Sequence, residues 1–311
     1  MRSAVFGSGG VGGFFGGKLA QAGEEVVFIA RGTHLESIRR EGLRVESVGG
    51  DFHIYPAHAE SDPAAVGAVD IVLVGVKAWQ VPEAAQAILP LVGPATVVIP
   101  LQNGVEAAVQ LAAVLGEQHV AWGLCRISCL VAAPGLIRHV GIEPYIGFNW
   151  LDGHADPRLA ALQAAFGKVG VKAEIPADIR VKVWEKFVFI AAISGVGAVT
   201  RAPAGALRSL PATRAMLDAA IHEVAAVGRA GGVPLGEQLE ANTLHFIDSL
   251  PPGTLASMQR DISENRPSEL ECQSGAVVRM GQAYGVPTPV HAFIYASLLP
   301  QEARARRQIS F

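Results

Sequence analysis

The chain carries near its start the segment Gly7-Ser8-Gly9-Gly10-Val11-Gly12, between a strand predicted over Ser3 to Phe6 and a helix predicted over Gly12 to Ala22. The segment matches G-x-G-x-x-G, in which the first glycine allows a tight turn, the second lets the backbone approach a pyrophosphate, and the third packs the helix onto the strand. N–H groups at the helix start then hold the anion. A flexible turn is the alternative in a chain with 35 glycines. The position between a strand and a helix favours dinucleotide binding.

Strands and helices alternate beyond this segment. Glu25 to Ala30, Asp70 to Val76 and Val97 to Pro100 are predicted strands, and Pro82 to Leu91 is a predicted helix. Unbroken runs of Ile, Val and Leu are typical of parallel strands that are covered on both faces. Short apolar pieces separated by glycine and proline predict a β meander or extension over residues 118 to 150, which completes the first domain. The first half is therefore predicted to be a Rossmann-type domain.

The second half is predicted to be helical. Long alanine-rich segments replace the strand patterns from Asp178 onward, over residues 179–199, 211–230, 234–249, 269–284 and 289–299. We place the domain boundary near Pro176. The predicted fold class is α/β, with an N-terminal Rossmann-type dinucleotide-binding domain over residues 1–176 and a C-terminal all-helical domain over residues 177–311.

The composition excludes several classes of protein. The 311 residues are 50% hydrophobic and 17% charged, which excludes a largely disordered chain. A net charge of −3 without long runs of one sign gives no footprint for nucleic acid. The longest apolar stretch, Phe187 to Val199, is shorter than the ~18 residues that a membrane span needs. The N-terminus lacks the pattern of a secretory signal, so we expect a cytoplasmic protein.

Cysteine and histidine show no metal motif. Cys125 and Cys129 have the spacing C-x3-C, which is typical of neither zinc nor thioredoxin-type sites, and the nine histidines are scattered. We therefore expect reduced thiols and no metal site.

The end of the second predicted strand indicates the cofactor. Enzymes that use NAD usually present an acidic residue to the ribose there, about 20 residues after the glycine loop. This chain has Ala30-Arg31 in its place. A guanidinium suits the 2′-phosphate and predicts NADPH. A solvated arginine is the alternative, since Arg39, Arg40 and Arg44 follow on a polar surface.

Two further motifs follow predicted strands, where α/β sheets bind ligands. They are Val76-Lys77-Ala78-Trp79-Gln80 and Pro100-Leu101-Gln102-Asn103-Gly104. Together with the glycine loop and Ala30-Arg31, these motifs resemble the ketopantoate reductase (2-dehydropantoate 2-reductase) family. The second half is similar to the family at Arg180 to Lys186, Ser257-Met258 and Ser268 to Glu271, so the resemblance covers nearly the whole chain.

The resemblance implies a reaction. In this family a hydride passes from NADPH to the keto carbon of ketopantoate, a 2-oxo acid, and gives pantoate for pantothenate and coenzyme A synthesis. Lys186 matches the family's general acid, and Glu269 matches a carboxylate that contacts substrate and cofactor. Asn103 matches an asparagine near nicotinamide and substrate, and Ser257 matches a serine that binds the substrate carboxylate.

The resemblance also implies the cofactor contacts. They comprise Gly7, Ser8, Gly9, Gly10, Val11 and Gly12 of the glycine loop, Arg31, Lys77, Asn103, Glu269 and the backbone of Cys129.

The residues themselves support Lys186 as a buried group. It leads into Phe187 to Ala192, which is apolar on all sides of a helix and therefore expected to be buried. A lysine that packs its stem and extends its ammonium into water is the alternative. Lys182, one turn earlier, is expected on the surface.

Local alternatives exist for the other candidates. Ser268 and Glu271 form the pattern S-x-x-E, which predicts a helix capping box, and Glu269 could be an acid that is favoured at a helix N-terminus. Asn103-Gly104 could be a simple turn. Ser257 could be an ordinary turn or helix residue.

The chain departs from the family at three asparagine positions. Ile190, Ser194 and Ala204 stand there, and Ser194 is kept as a candidate substrate-binding residue. Because apolar replacements select weakly and accept bulkier apolar groups, a second hypothesis is a reductase of the same family for a more apolar ketone or 2-oxo acid. A third is a non-catalytic NADPH-binding sensor. The oligomeric state stays open, with a homodimer as one candidate.

Overall fold

The computed structural model describes residues 1–310. The chain divides into two units. The first comprises Met1–Gln102 with Glu106–Ile179, and the second comprises Asn103–Val105 with the chain from Arg180 onward. The short segment Asn103–Val105 therefore groups with the second unit, although it follows a strand of the first.

The first unit contains strands and helices in alternation. Its strands are β1 Arg2–Phe6, β2 Glu25–Ile29, β3 Leu43–Ser47, β4 Phe52–Ile54, β5 His58–Glu60, β6 Val69–Val74, β7 Val92–Pro100, β8 Trp122–Arg126, β9 Cys129–Ala133, β10 Leu136–His139, β11 Tyr145–Asn149 and β12 Lys172–Glu174. Its α-helices are α1 Gly10–Gln21, α2 Gly32–Glu41, α3 Val81–Ala87, α4 Ala107–Leu115 and α5 Pro157–Lys168.

The main sheet has five parallel strands in the order β5, β2, β1, β6, β7. Counted within the sheet, this order is 3-2-1-4-5, which is the Rossmann arrangement. β1 is central and contributes to two hydrophobic cores: Val5 packs in one, and Ala4 and Phe6 pack in the other. Burial on both faces explains why the strands are unbroken apolar runs. The predicted Rossmann-type fold is confirmed.

The β meander that was predicted over residues 118 to 150 is wrong in its pairing. Four strands do form there, but they belong to two separate sheets. β9 and β10 pair with each other, and β10 joins β3 in parallel. β8 pairs with β11, which joins β12 in parallel. The partners β3 and β12 lie far away in sequence, so local patterns could not reveal them.

The second unit is helical, as predicted. Its α-helices are α6 Ile179–Thr200, α7 Ala204–Ser209, α8 Pro211–Ala230, α9 Leu239–Ser249, α10 Ser257–Ser263, α11 Ala276–Tyr284 and α12 Pro289–Ala305. The helix predicted over 269–284 is interrupted by a π-helical turn, Glu271–Gly275, ahead of α11.

α6 is the core helix of the second unit. It has 22 residues, in agreement with the helix predicted over 179–199, and by length and composition alone it could cross a membrane, which the apolar stretch Phe187 to Val199 did not indicate. However, 67% of its most apolar window is buried inside the protein, as in a core helix. Its neighbours are α8, α9 and α12, through the pairs Trp184–Gly228, Phe189–Phe246 and Gly195–Ile294.

Candidate dinucleotide and active site

The glycine loop of the first unit has no room for a side chain at Gly7 or at Gly12. Gly7 has φ +93°, and a Cβ there would lie 2.7 Å from the Val76 backbone nitrogen. A Cβ on Gly12 would overlap the Gly7 carbonyl oxygen. Around Gly9, by contrast, a Cβ would meet nothing within 4 Å. The three glycines thus occupy the turn, packing and open positions that the G-x-G-x-x-G motif predicts.

The start of α1 has the features of an anion site. Gly9 is its N-cap residue, and no side chain among residues 1–310 caps the helix. N–H groups of a first helical turn carry a partial positive charge and suit a phosphate. Ser8 is 2% exposed and donates through Oγ to the Ile29 carbonyl oxygen at 3.1 Å, which holds the loop against β2.

Arg31 lies at the N-cap position of α2, directly after β2, and is exposed. The three arginines that follow it have carboxylate partners, because Arg39 pairs with Glu60, and Arg40 and Arg44 pair with Glu41. The Arg31 guanidinium makes no hydrogen bond or ion pair within the part of the chain that the structure describes, although the Arg31 carbonyl oxygen accepts the Leu35 N–H at 3.4 Å. Its guanidinium therefore differs from those of its neighbours in being open to a ligand.

Lys77 follows β6 and begins a short 3-10 turn. Its ammonium lies 5.6 Å from the centre of the Trp79 ring. Gln102, which the sequence analysis did not assign, supports this loop: its Nε2 donates to the carbonyl oxygens of Val74 at 2.8 Å and Val76 at 2.9 Å. Gln102 thereby fixes the end of β6 relative to the end of β7.

Cys129 approaches the glycine loop through its backbone. A Cβ on Gly10 would lie 2.7 Å from the Cys129 carbonyl oxygen. Burial, and to a smaller extent the neighbouring Cys125 thiol, raise the pKa of the Cys129 thiol far above its usual range. The raised pKa favours the protonated thiol, and the part of Cys129 that faces the glycine loop is its backbone.

In the second unit, hydrogen bonds join Asn103 to Glu269. Asn103 Nδ2 donates to Glu269 Oε2 at 2.9 Å, and Gln273 Nε2 approaches the same oxygen at 3.3 Å. The carboxylate is 6% exposed and Gln273 is fully buried. Gln273 was missed by the sequence analysis, because nothing in its local pattern distinguishes it from a solvent-exposed helix residue. Two amide donors on one buried carboxylate oxygen fix its orientation.

The backbone around Glu269 is unusual. The Gly275 N–H bonds to the Leu270 carbonyl oxygen at 3.0 Å, five residues earlier, as in a π-helix. π-helical turns are frequent at functional sites. Gly104 has φ +107°, and a Cβ there would lie 3.1 Å from the Cys272 carbonyl oxygen. The π-helical turn therefore packs closely against Gly104, the residue that follows Asn103.

The predicted capping box of Ser268 and Glu271 is not formed. Ser268 Oγ does accept the Leu270 N–H at 3.2 Å, but the Glu271 carboxylate accepts from the Tyr295 hydroxyl at 2.6 Å and from Arg279. Buried Glu302 instead holds the start of the segment, since it accepts the Ser268 N–H at 3.0 Å.

Lys186, Ile190 and Ser194 lie on one side of α6, because residues four apart in a helix are neighbours. Lys186 is half-buried, whereas Lys182 is exposed and pairs with Glu185 at 2.8 Å, as expected for a surface residue. Ser194 is fully buried, and its Oγ has no hydrogen-bond partner among residues 1–310.

Two predicted positions lie at helix starts. Ser257 is the first residue of α10 and is half-buried. Ala204 is the first residue of α7 and is buried. α10 packs on α6 through Gln259, whose side chain occupies the space that a Cβ on Gly197 would need. The hydrogen bonds described above join Asn103 and Glu269, and they do not include Ser257 or Ser194.

Metal chemistry has no obvious site. No group of three or more His, Cys, Asp or Glu side chains in residues 1–310 is arranged to hold a metal ion. The groups that can do chemistry are a lysine on the core helix, a buried carboxylate with amide donors, and an open helix N-terminus after a glycine loop.

Two family models match the chain. "Ketopantoate reductase PanE/ApbA" matches residues 3–148, and "Ketopantoate reductase PanE/ApbA C terminal" matches residues 178–302. These matches confirm the resemblance that the sequence motifs indicated.

Individual relatives agree. "Uncharacterized oxidoreductase YkpB" of Bacillus subtilis is 30% identical over 97% of this chain and 99% of its own length. The 2-dehydropantoate 2-reductase of Mesorhizobium japonicum is 30% identical over 93% of this chain and 94% of its own length. The crystal structure of a PanE/ApbA family ketopantoate reductase from Ralstonia eutropha JMP134 has a TM-score of 0.88 and 33% identity, and the match covers 98% of this chain and 100% of that chain.

Proposed function

The chain belongs to the ketopantoate reductase family of oxidoreductases, and we propose that it uses NADPH to reduce a 2-oxo acid, with ketopantoate as the first candidate substrate. The observation that carries the proposal is the hydrogen bond from Asn103 to the buried Glu269 carboxylate. Both residues match positions that the family uses near substrate and nicotinamide. Burying a carboxylate costs solvation free energy, and the hydrogen bond from Asn103 offsets part of this cost at Glu269.

The preference for NADPH is supported by Arg31. It occupies the end of β2, where NAD enzymes usually have an acidic residue, and it has no carboxylate partner among the described residues. An arginine fork can donate two charge-assisted hydrogen bonds to a phosphate. The nearby arginines already bind carboxylates, which makes Arg31 the best candidate for the 2′-phosphate.

Lys186 is the candidate proton donor. Bound NADPH supplies the hydride that adds to the keto carbon, and the carbonyl oxygen becomes an alkoxide unless it is protonated. The Lys186 ammonium would give that oxygen a proton, so that one hydride and one proton convert the ketone to an alcohol. Donation by a positioned acid typically accelerates such a step by about 10²- to 10⁴-fold.

Glu269 is the candidate binding carboxylate. Asn103 and Gln273 both approach Oε2, and Oε1 has no hydrogen bond from any residue in 1–310. Oε1 can therefore accept a hydrogen bond from a substrate hydroxyl or from the cofactor. Ser257 would bind the substrate carboxylate, as the family resemblance implies.

The substrate itself has two candidates. Ketopantoate is the first, and a more apolar ketone or 2-oxo acid is the second, because Ile190 and Ala204 present apolar groups where the family has amides. Ser194 keeps one hydroxyl on the same helix as Lys186. We place the enzyme in the cytoplasm, because its three cysteines are free thiols, which fits a reducing compartment.

The test is turnover measured by NADPH absorbance. Purified protein is assayed with ketopantoate and with a panel of branched, aromatic and longer-chain 2-oxo acids and ketones. Efficient ketopantoate reduction supports the first candidate, and activity only with a bulkier substrate supports the second. Protein that binds NADPH tightly but reduces nothing would instead be the sensor. A chain that binds no dinucleotide contradicts the proposal.

A further inference from the structure

His34 lies in the first turn of α2, and both nitrogens of its ring have hydrogen-bond partners. Nε2 lies 2.8 Å from the Ser8 carbonyl oxygen, and the Gly135 N–H lies 3.0 Å from Nδ1. The Gly135 N–H can only donate, so Nδ1 must be the acceptor. Nε2 then carries the proton and donates it to Ser8. The two partners therefore select one neutral tautomer.

The two partners belong to the glycine loop and to the β9–β10 hairpin. Gly135 forms the hairpin turn with φ +73°. The same hairpin contacts α1 at two further points, since a Cβ on Gly10 would lie 2.7 Å from the Cys129 carbonyl oxygen, and a Cβ on Gly13 would lie 3.1 Å from Ile137 Cδ1. His34 thus closes a connection between α2, the glycine loop and the hairpin.

The bond to Ser8 has a stereochemical consequence for the anion site. A trans peptide is planar, and its carbonyl oxygen and N–H point in opposite directions. When the Ser8 carbonyl is held by His34, the Gly9 N–H is directed away from α2. A Cβ on Gly9 would meet nothing within 4 Å, so no side-chain packing at that residue fixes the peptide plane, while the Gly9 carbonyl oxygen accepts the Gly13 N–H at 2.7 Å. Glycine is also the residue whose backbone most easily rotates.

We propose that His34 is a positioning residue of the dinucleotide site, which orients the Ser8–Gly9 peptide so that the loop is arranged for a pyrophosphate before the cofactor arrives. Preorganisation of this kind raises affinity, because the loop is already ordered and binding therefore loses less conformational entropy. The inference rests on the proposed function, in that NADPH is the ligand. Its effect is on cofactor affinity, and the chemical step is left unchanged.

The experiment compares four proteins by the Kd for NADPH, measured by fluorescence without substrate. His34→Phe keeps an aromatic ring, although a larger one, and removes both hydrogen bonds. His34→Gln retains one acceptor and one donor at a spacing close to that of the imidazole nitrogens. His119→Phe is the matched control, because His119 also bonds a backbone carbonyl, Thr96, at 3.1 Å, but has no contact with the glycine loop.

We expect His34→Phe to raise the Kd by about tenfold, as for the loss of two neutral hydrogen bonds. His34→Gln should restore most of the affinity, and His119→Phe should not change it. With saturating NADPH, kcat should be the same in all four proteins. A purely structural role would instead lower stability without this split between Kd and kcat.

Two results would overturn the inference: an unchanged Kd in folded His34→Phe, or a His34→Gln protein as weak as His34→Phe. If His34→Phe does not fold, His34→Asn replaces it, since the shorter amide keeps the acceptor for Gly135 but does not reach Ser8; unchanged affinity in His34→Asn would be equally decisive. A wild-type protein that binds neither NADPH nor NADH overturns the proposed function as well, so the two failures are distinguishable.

Discussion

Asn103 donates to Glu269 across 166 residues of sequence, through a 2.9 Å hydrogen bond to a carboxylate that is nearly inaccessible to water. Asn103, which comes shortly after β7 in sequence, thus forms this bond within the helical unit. The bond also couples the position of the Asn103 amide to that of the Glu269 carboxylate, so a substitution of either residue should disturb the other side chain.

Glu269→Gln should therefore lower kcat/KM by about 10- to 100-fold, because it replaces charge-assisted hydrogen bonds with weaker neutral ones and removes an acceptor from the site. Steady-state kinetics provide the measurement. Glu271→Gln is the control in the same turn, since the Glu271 carboxylate is exposed and bonded to Tyr295 and Arg279. Equal losses in both variants would contradict a specific role for Glu269.

Lys186→Ala should reduce kcat by about 10²- to 10⁴-fold, because the proton donor for the developing alkoxide is removed. The Kd for NADPH should change little. Lys182→Ala, one turn earlier and exposed, should retain full activity. Unchanged turnover in Lys186→Ala would refute the assignment of the general acid.

Arg31→Ala should weaken NADPH binding by about 10- to 100-fold and NADH binding hardly at all, since only NADPH has the 2′-phosphate. The two Kd values are compared by titration. Arg40→Ala is the control, because Arg40 pairs with Glu41. Parallel weakening of both cofactors would argue against Arg31 as the phosphate ligand.

Gly104→Ala should reduce turnover by disturbing Asn103, since the new Cβ would lie 3.1 Å from the Cys272 carbonyl oxygen. Gly232→Ala is the control, since Gly232 also has a positive φ, +77°, but its Cβ would meet nothing within 4 Å. Both variants should lose about 1–2 kcal/mol of stability from the left-handed conformation. Only Gly104→Ala should also lose activity, and loss in both would assign the effect to folding.

The fully buried His291 predicts that the folded state is less stable in acid. Burial lowers the pKa of His291 to about 4. In the unfolded chain His291 takes up a proton below the ordinary pKa of histidine, whereas the buried ring does so only at lower pH. The free energy of unfolding is therefore greatest above the ordinary pKa and decreases as the pH falls. Between pH 7 and pH 5 the loss should be about 2 kcal/mol.

Denaturant unfolding at both pH values measures this loss, and His291→Gln should remove it. Glu223, whose pKa burial raises, acts in the opposite sense, so the comparison with the variant is essential. His222→Gln, an exposed position on α8, should keep the dependence of the wild type. A His291→Gln protein with the same pH dependence as the wild type would contradict the assignment.

The parts of the fold that the sequence predicts are those with local signals. Around β1 and α1, the apolar run, the glycine spacing and the following helix all lie within a short stretch, and the main sheet follows from repeats of the same pattern. The small sheets could not be predicted, because β10 pairs with β3 across a long stretch of the first unit's sequence, with several strands and helices between them, and no local pattern encodes that register.

The candidate site likewise combines residues that sequence motifs indicate with contacts that depend on tertiary structure. Glu269 and Asn103 were singled out individually by motif, but their hydrogen bond depends on tertiary structure. Gln273 and His34 had no signal, since a glutamine or histidine in a polar helical segment is usually solvated. The π-helical turn was missed because the sequence pattern of this segment is that of an ordinary helix, and the hydrogen bond from Gly275 to Leu270 appears only in the structure.

Helix α6 has a consequence for how the polypeptide is made. Its apolar surface is covered by α8, α9 and α12, and the last of these begins at Pro289. During synthesis α6 therefore leaves the ribosome well before α12, the last of the helices that cover it. Until then α6 exposes apolar surface, which chaperones recognise and which promotes aggregation at high concentration. A chain truncated before α12 should accumulate as insoluble material, even if its dinucleotide-binding half has folded.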